Sequence, residues 1–193
     1  MVTLVVFVFT LIPYQQLNRS LAPRWDLLSP IDALVPFLPW TVVVYMSLYL
    51  IYLAAAWVLR GRDFLRVMWS LLSLNFLCYL GFIFFTAHYP RPGEGEWGGS
   101  AWAPVFRWMF EMDPPGNTCP SLHVSTAMLL GLTMHKERRG SADRWLWLPW
   151  GALIALSTLT VKQHFIVDVV SGGLLAWGVF AWFERREGRG VGA

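Results

Sequence analysis

Two of the four histidines in this 193-residue chain stand where they could do chemistry. His164 and Asp168 are four residues apart, in the run Lys162-Gln163-His164-Phe165-Ile166-Val167-Asp168. At the start of a helix that spacing puts both side chains on one face, within hydrogen-bond reach. A carboxylate that takes the proton of one imidazole nitrogen fixes the tautomer and leaves the other nitrogen free as nucleophile or base. A structural His–Asp pair that orders the start of a helix would have the same spacing. The second histidine follows Pro120-Ser121-Leu122. Proline suits a first helical turn, so a helix is expected to open at Pro120, with Ser121 and His123 in its first turn. Free backbone N–H groups and the positive end of the helix dipole make such a place a phosphate site. Ser121 adds a hydroxyl, and His123 can give a proton to a departing oxygen. The plainer alternative is Ser121 as a helix cap and His123 as an interfacial polar residue.

Cations complete the set. Arg91-Pro92 offers a guanidinium, the preferred bidentate partner of phosphate oxygens. Lys162, two residues before His164, offers a second positive charge. Two histidines, one carboxylate, a hydroxyl, a helix N-terminus and two cations make a phosphoryl-transfer set, with fixed charges to stabilise the trigonal phosphoryl group. Neither Cys78 nor Cys119 has metal-ligand spacing, and no disulfide, metal or cofactor is expected. His88 lies near Arg91, while His135 lies beside Lys136 and reads as a boundary residue.

The elements that position these residues are apolar. The AVILMFWYC residues are 56% of the chain and the charged ones 14%, about half the usual charged share. Mean hydropathy is +0.48. So few charges could not cover a water-soluble sphere of this size, which excludes an ordinary soluble domain, a disordered chain and a disulfide-rich secreted module. Apolar stretches fall at residues 2–14, 33–59, 67–87, 120–135, 145–161 and 164–183. They are continuously apolar rather than alternating, which argues against a β-barrel. The expected fold is all-α, a single domain over residues 1–193 with six transmembrane helices; the first stretch is short for a span. No Lys or Arg precedes Arg19, so residues 2–14 read as a retained segment and not a cleaved signal.

Ten basic residues, in the links near Arg60, Arg62 and Arg66, near Lys136 to Arg144, and in the tail, face five on the other side. That bias predicts a multi-pass membrane protein with both termini in the cytoplasm, in the cell (inner) membrane if bacterial. The net charge of +3 serves topology, with no basic–aromatic tract for nucleic acid. Residues 88–119, rich in Pro and Gly, cannot be one regular helix and are expected to form a wall or lid beside the cluster. Ser171, Gly172 and Gly173 are expected to allow close helix packing. Asn75 is the polar residue a transporter reading would use, and helix–helix hydrogen bonding explains it more simply.

These residues resemble the type 2 phosphatidic acid phosphatase superfamily, whose motifs are K-x6-R-P, P-S-G-H and S-R-x5-H-x3-D. Arg91 and Pro92 match the end of the first motif. Pro120, Ser121 and His123 match the second, with Leu122 in place of glycine. Ser157, His164 and Asp168 match the third at its spacing. The first-motif lysine falls at Phe84 and the third-motif arginine at Thr158, so two cations are replaced. The pattern looks more like the branch containing inositol phosphorylceramide synthases and their bacterial relatives. The resemblance implies a metal-free, two-step reaction on a lipid phosphate (phospholipid, polyprenyl or sphingolipid) at the non-cytoplasmic face. His164 would attack phosphorus and form phosphohistidine, and Asp168 would stabilise the imidazolium. His123 would protonate the leaving group and then activate water or an acceptor hydroxyl. Arg91, Lys162, Ser121 and Ser157 would hold phosphate oxygens. The expected activity is hydrolysis; the alternatives are a lipid phosphotransferase and a non-catalytic membrane protein or transporter.

Overall fold

The computed structural model describes residues 2–22, 24–113 and 115–190, with side chains from residue 10 to 186 except residue 11. Its elements are helical in order: α1 (Val2–Ser20), α2 (Pro30–Leu34), a 3-10 turn at Pro39–Thr41, α3 (Val42–Met46), α4 (Leu48–Val58), α5 (Gly61–Phe84), α6 (Glu94–Trp97), α7 (Ala103–Met112), α8 (Leu122–Glu137), α9 (Arg144–Thr160) and α10 (Ile166–Gly190). Among the described residues there is no strand, only the isolated bridges Trp25–Ala87 and His88–Gly116. An apolar chain of this kind satisfies its backbone within each helix, as lipid requires.

Three segments are long and apolar enough to cross a membrane: Pro39–Val58, Gly61–Phe84 and Ile166–Arg186. Only 22% to 44% of each is buried, so most of their apolar surface faces outward, with Leu53, Trp57, Phe76 and Leu174 among the exposed side chains. Such a surface suits lipid and points to a membrane protein. α8 and α9, at 16 and 17 residues, are shorter; they rise ~24 and ~26 Å at 1.5 Å per residue. The stretch at residues 2–14 lies in the 19-residue α1, most of whose first half has side chains outside the described ones.

Residues 33–59 do not form one helix. Val35 and Leu38 precede Pro36 and Pro39, and both are extended, because proline excludes the helical region for the residue before it. The chain therefore enters α3 only after an extended strap. Residue 47 separates α3 from α4: the Ser47 hydroxyl donates to the Val44 carbonyl at 2.6 Å and accepts the Trp150 indole N–H at 2.9 Å.

The core centres on α8. Ile51, Leu71, Leu74, Leu129, Leu130, Met134 and Ile154 are fully buried around it. α9 lies against α8 backbone to backbone, since a Cβ at Gly151 would sit 2.6 Å from the Ala127 carbonyl oxygen. Asn75 donates to the Thr10 hydroxyl at 2.9 Å, joining α5 to α1, as helix–helix packing predicts. At one end of the bundle Arg66 pairs with Glu137, and Lys136 meets Glu184 at 2.5 Å. This joins the three basic segments that the charge pattern assigned to one side. His135 sits there too, bonded through Nδ1 to the Arg144 carbonyl at 3.0 Å. At the other end α6 and α7 fold the 88–119 region over α3: Trp97, Phe106 and Met109 pack with Val42, Tyr45 and Val161.

Candidate active site

His164 stands two residues ahead of α10, not within it. Its Nδ1 still faces Asp168 Oδ2 at 3.4 Å, with Asp168 fully enclosed. That is longer than the 2.7–2.9 Å of a charge-assisted bond, and such contacts commonly tighten only when substrate binds. Asp168 Oδ2 also accepts the Phe165 amide at 2.9 Å. Asp168 Oδ1 is buried without a hydrogen-bond partner. With a carboxylate opposite Nδ1, the proton belongs on Nδ1, and Nε2 is left with its lone pair.

α8 is fastened to this turn. The Ser121 amide donates to the Asp168 carbonyl at 3.1 Å, and Gly172, one turn further along α10, abuts the Ser121 carbonyl. Ser121 is the N-cap: its hydroxyl accepts the Val124 amide at 3.2 Å. This corrects the expected helix start, because Pro120 lies outside α8 and Ser121 precedes its first turn. The cap fixes the start of α8 and with it His123, on which the charge of His164 acts. His123 stacks on Tyr45 with ring centroids 3.9 Å apart and 10° between planes. Its Nε2 lies 2.9 Å from the Tyr45 carbonyl oxygen. A carbonyl only accepts, so Nε2 carries a proton and Nδ1 is the nitrogen free for substrate. Opposite nitrogens thus face protein oxygens: Nδ1 of His164 toward Asp168 at 3.4 Å, without a hydrogen bond, and Nε2 of His123 toward the Tyr45 carbonyl at 2.9 Å.

Arg91 faces Asp113, whose carboxyl also feels the charge of His164. Its guanidinium lies 4.8 Å above the Phe110 ring and 3.7 Å from Asp113 Oδ2. Asp113 Oδ1 accepts the Tyr14 hydroxyl at 2.7 Å and the Asn18 amide at 3.0 Å. Burial pushes the Asp113 carboxyl above its ordinary range, opposed by Arg91, the Tyr14 hydroxyl and the nearby His164. Sequence reasoning missed Asp113. It stands in the Pro/Gly-rich loop, far from Arg91 in sequence, and the one signal available was an acid in the same loop as an arginine expected to bind an anion.

Lys162 and Ser157 do not join the cluster. Lys162 takes a left-handed backbone, φ 56°, which turns its ammonium to the carbonyls of Val35 (2.5 Å) and Asp32 (3.3 Å). Ser157 is buried in α9 and donates to the Ile154 carbonyl at 2.6 Å, the usual local bond of a helical serine. At the two replaced cation positions, Thr158 is wholly buried and Phe84 points outward, 69% exposed. His88 bridges to Gly116, and its Nδ1 is buried without a partner. Among the described residues no three His, Cys, Asp or Glu side chains stand together as a metal cage.

The family description "PAP2 superfamily" matches residues 33–182, which includes α3 to α9 and most of α10. No curated protein and no solved structure matches the chain.

Proposed function

The chain belongs to the PAP2 superfamily, a group of phosphatases and phosphotransferases, and on that premise we propose that it is a membrane lipid-phosphate phosphatase working through phosphohistidine. The observation that carries the reading is that each imidazole turns one nitrogen to a protein oxygen, His164 Nδ1 to Asp168 and His123 Nε2 to the Tyr45 carbonyl, and keeps the other for the reaction. His164 Nε2 attacks phosphorus, and Asp168 stabilises the imidazolium through Nδ1–H. His123 enters this step as the imidazolium, its Nε2–H on the Tyr45 carbonyl and a second proton, taken from solvent, on Nδ1; the P–O bond to the lipid alcohol breaks, and the leaving oxygen takes the Nδ1 proton. His123 then takes a proton from water, which attacks phosphorus, breaks the P–N bond and releases phosphate. Arg91 neutralises the phosphoryl oxygens, and Ser121 sets the angle of α8 and so of His123. The chain crosses the bilayer six times with α8 and α9 in the middle, and the basic end faces the cytoplasm. The substrate is a phospholipid, polyprenyl or sphingolipid phosphate met from the other leaflet.

Transfer to a lipid hydroxyl is the second reading. It is favoured by the scarcity of cations: Arg91 already faces Asp113, and Thr158 and Phe84 occupy the other two positions. So little positive charge suits a monoanionic phosphodiester better than a dianion. The test is a radiolabelled lipid phosphate given to the full chain in detergent, with and without lipid-alcohol acceptors. Inorganic phosphate as the sole labelled product counts against transfer. His164→Ala and His123→Ala should each abolish turnover, and full activity in both ends the catalytic reading.

A further inference from the structure

The turn that carries His164 is held from outside its own helix. α2 begins with a capping box, in which Asp32 Oδ2 accepts both the amide (2.9 Å) and the hydroxyl (2.5 Å) of Ser29. The other carboxylate oxygen, Oδ1, accepts the Ile166 amide at 2.7 Å across 134 residues of chain. The first amides of a helix have no partner within it. Here two consecutive ones are each taken by a carboxylate, Phe165 by Asp168 and Ile166 by Asp32. Further bonds run alongside. Lys162 Nζ reaches the Asp32 and Val35 carbonyls. The Leu38 amide donates to the Thr160 carbonyl at 2.9 Å, and the Thr41 and Thr160 hydroxyls meet at 2.8 Å. Residues 29–41 are therefore laced along residues 160–166, and His164 lies inside the laced stretch.

We propose that this strap is a positioning device for the nucleophile: Asp32, seconded by Lys162, fixes the 160–166 turn so that His164 presents Nε2 toward the phosphorus held by Arg91 and His123. The inference rests on His164 being the nucleophile. Asp32 touches no reacting atom and acts through the backbone of Ile166. Burial opposes its charge. The Ser29 hydroxyl, the Ile166 and Ser29 amides and the Lys162 ammonium outweigh that, holding the carboxyl below its ordinary range. An ionised carboxylate at the start of α10 also suits the positive end of the helix dipole. This gives Lys162 a use other than phosphate binding.

The test compares wild type with Asp32→Ala, Asp32→Asn, Lys162→Met and His164→Ala. Each is the full chain in detergent micelles, given radiolabelled phosphatidate. Both kcat and KM are measured, and labelled phosphohistidine is trapped in single turnovers. A displacement of about 1 Å at a reacting group costs about 100-fold in rate. Asp32→Ala should lower kcat and the rate of phosphohistidine formation by about that factor, with KM little changed. Asp32→Asn keeps one acceptor oxygen for Ile166, and Lys162→Met keeps the Asp32 cap, so each should lose about tenfold. These two carry the test if Asp32→Ala does not fold. A purely structural strap would lower the melting temperature and leave kcat of the folded protein alone. Unchanged kcat in the Asp32 and Lys162 variants, or a loss confined to KM, overturns the positioning role while an inactive His164→Ala keeps the nucleophile. Full turnover by His164→Ala overturns both.

Discussion

Gly172→Ala tests the joint on which the site depends. An alanine Cβ at this position would lie 2.7 Å from the Ser121 carbonyl oxygen and 3.4 Å from the Ser121 and Ser125 amide nitrogens. The carbonyl contact is 0.7 Å short of the 3.4 Å at which ordinary contact begins, and the opposing atom is backbone, with no rotamer to escape into. α8 and α10 must therefore part. Overpacking of this kind costs about 1–3 kcal/mol. Alanine recovers up to about 1 kcal/mol over glycine through helix propensity alone, so the bare stability change understates the clash. Gly173→Ala is the matched control, with nothing within 4 Å of its added Cβ; it receives the propensity gain and no clash. The two variants should differ in unfolding free energy by about 1–3 kcal/mol, read from thermal or denaturant melts of the purified protein in detergent. The parting also separates His123, on α8, from Asp168 and His164, so kcat of Gly172→Ala should fall by roughly 10- to 100-fold while Gly173→Ala stays at wild type. Identical melts and identical kcat for the two variants would refute the reasoning, because they would mean that the Ser121–Gly172 contact positions nothing.

Asp113→Asn removes the charge opposite Arg91 and leaves a guanidinium mostly enclosed without its counter-ion; it should cost about 1–3 kcal/mol in the same melts. Adding Arg91→Met should cost less than the sum of the two single losses, and strict additivity would show that the 3.7 Å pair is not coupled. Tyr45→Phe should keep kcat within about twofold, because the ring and the backbone carbonyl hold His123 and the hydroxyl does not; Tyr45→Leu, which loses the stack, should be clearly slower. The pH dependence has a fixed sign at Asp32. Its carboxyl lies below the ordinary 3.8 in the folded protein, so its contribution is complete above that value and is lost as pH falls through the folded one. The melting gap between wild type and Asp32→Asn should be constant above pH 3.8 and close below it; a gap that widens toward low pH would contradict the assignment.

Part of the candidate site's layout was legible in the sequence because its signals are local. The four-residue step from His164 to Asp168, and a proline and serine just before His123, are short-range patterns with one physical meaning each. The three helices long and apolar enough to cross a membrane were legible for the same reason, since they lie in long runs nearly free of charge. What escaped was set by contacts across the chain. Asp32 reads as part of a local capping box, and nothing near it announces a bond to Ile166. Asp113 meets Arg91 only because α7 folds back over the site. Lys162 looked like a phosphate ligand from its distance to His164, but a left-handed backbone turns it the other way. Of the Gly172-Gly173 pair, only the first meets a neighbour, because adjacent helix positions point about 100° apart.

The shortness of α8 follows from where it sits. Every residue of α8 is buried or half-buried, so lipid meets α4, α5 and α10 instead, and α8 has no need to match the bilayer. At ~24 Å it falls about 6 Å short of a ~30 Å hydrocarbon core. Its Glu137 end is fixed by Arg66, and the neighbouring Lys136 by Glu184. On the six-span reading the missing length therefore falls at the Ser121 end. That would set His123 and His164 below the outer rim, walled by α7 on one side and by residues 29–41 on the other. A phosphate would have to come down to the imidazoles, into a place with few cations. In such a place solvent cannot aim a nucleophile, and on the positioning proposal Asp168 and Asp32, gripping consecutive amides at the start of α10 with Lys162 beside Asp32, would aim it.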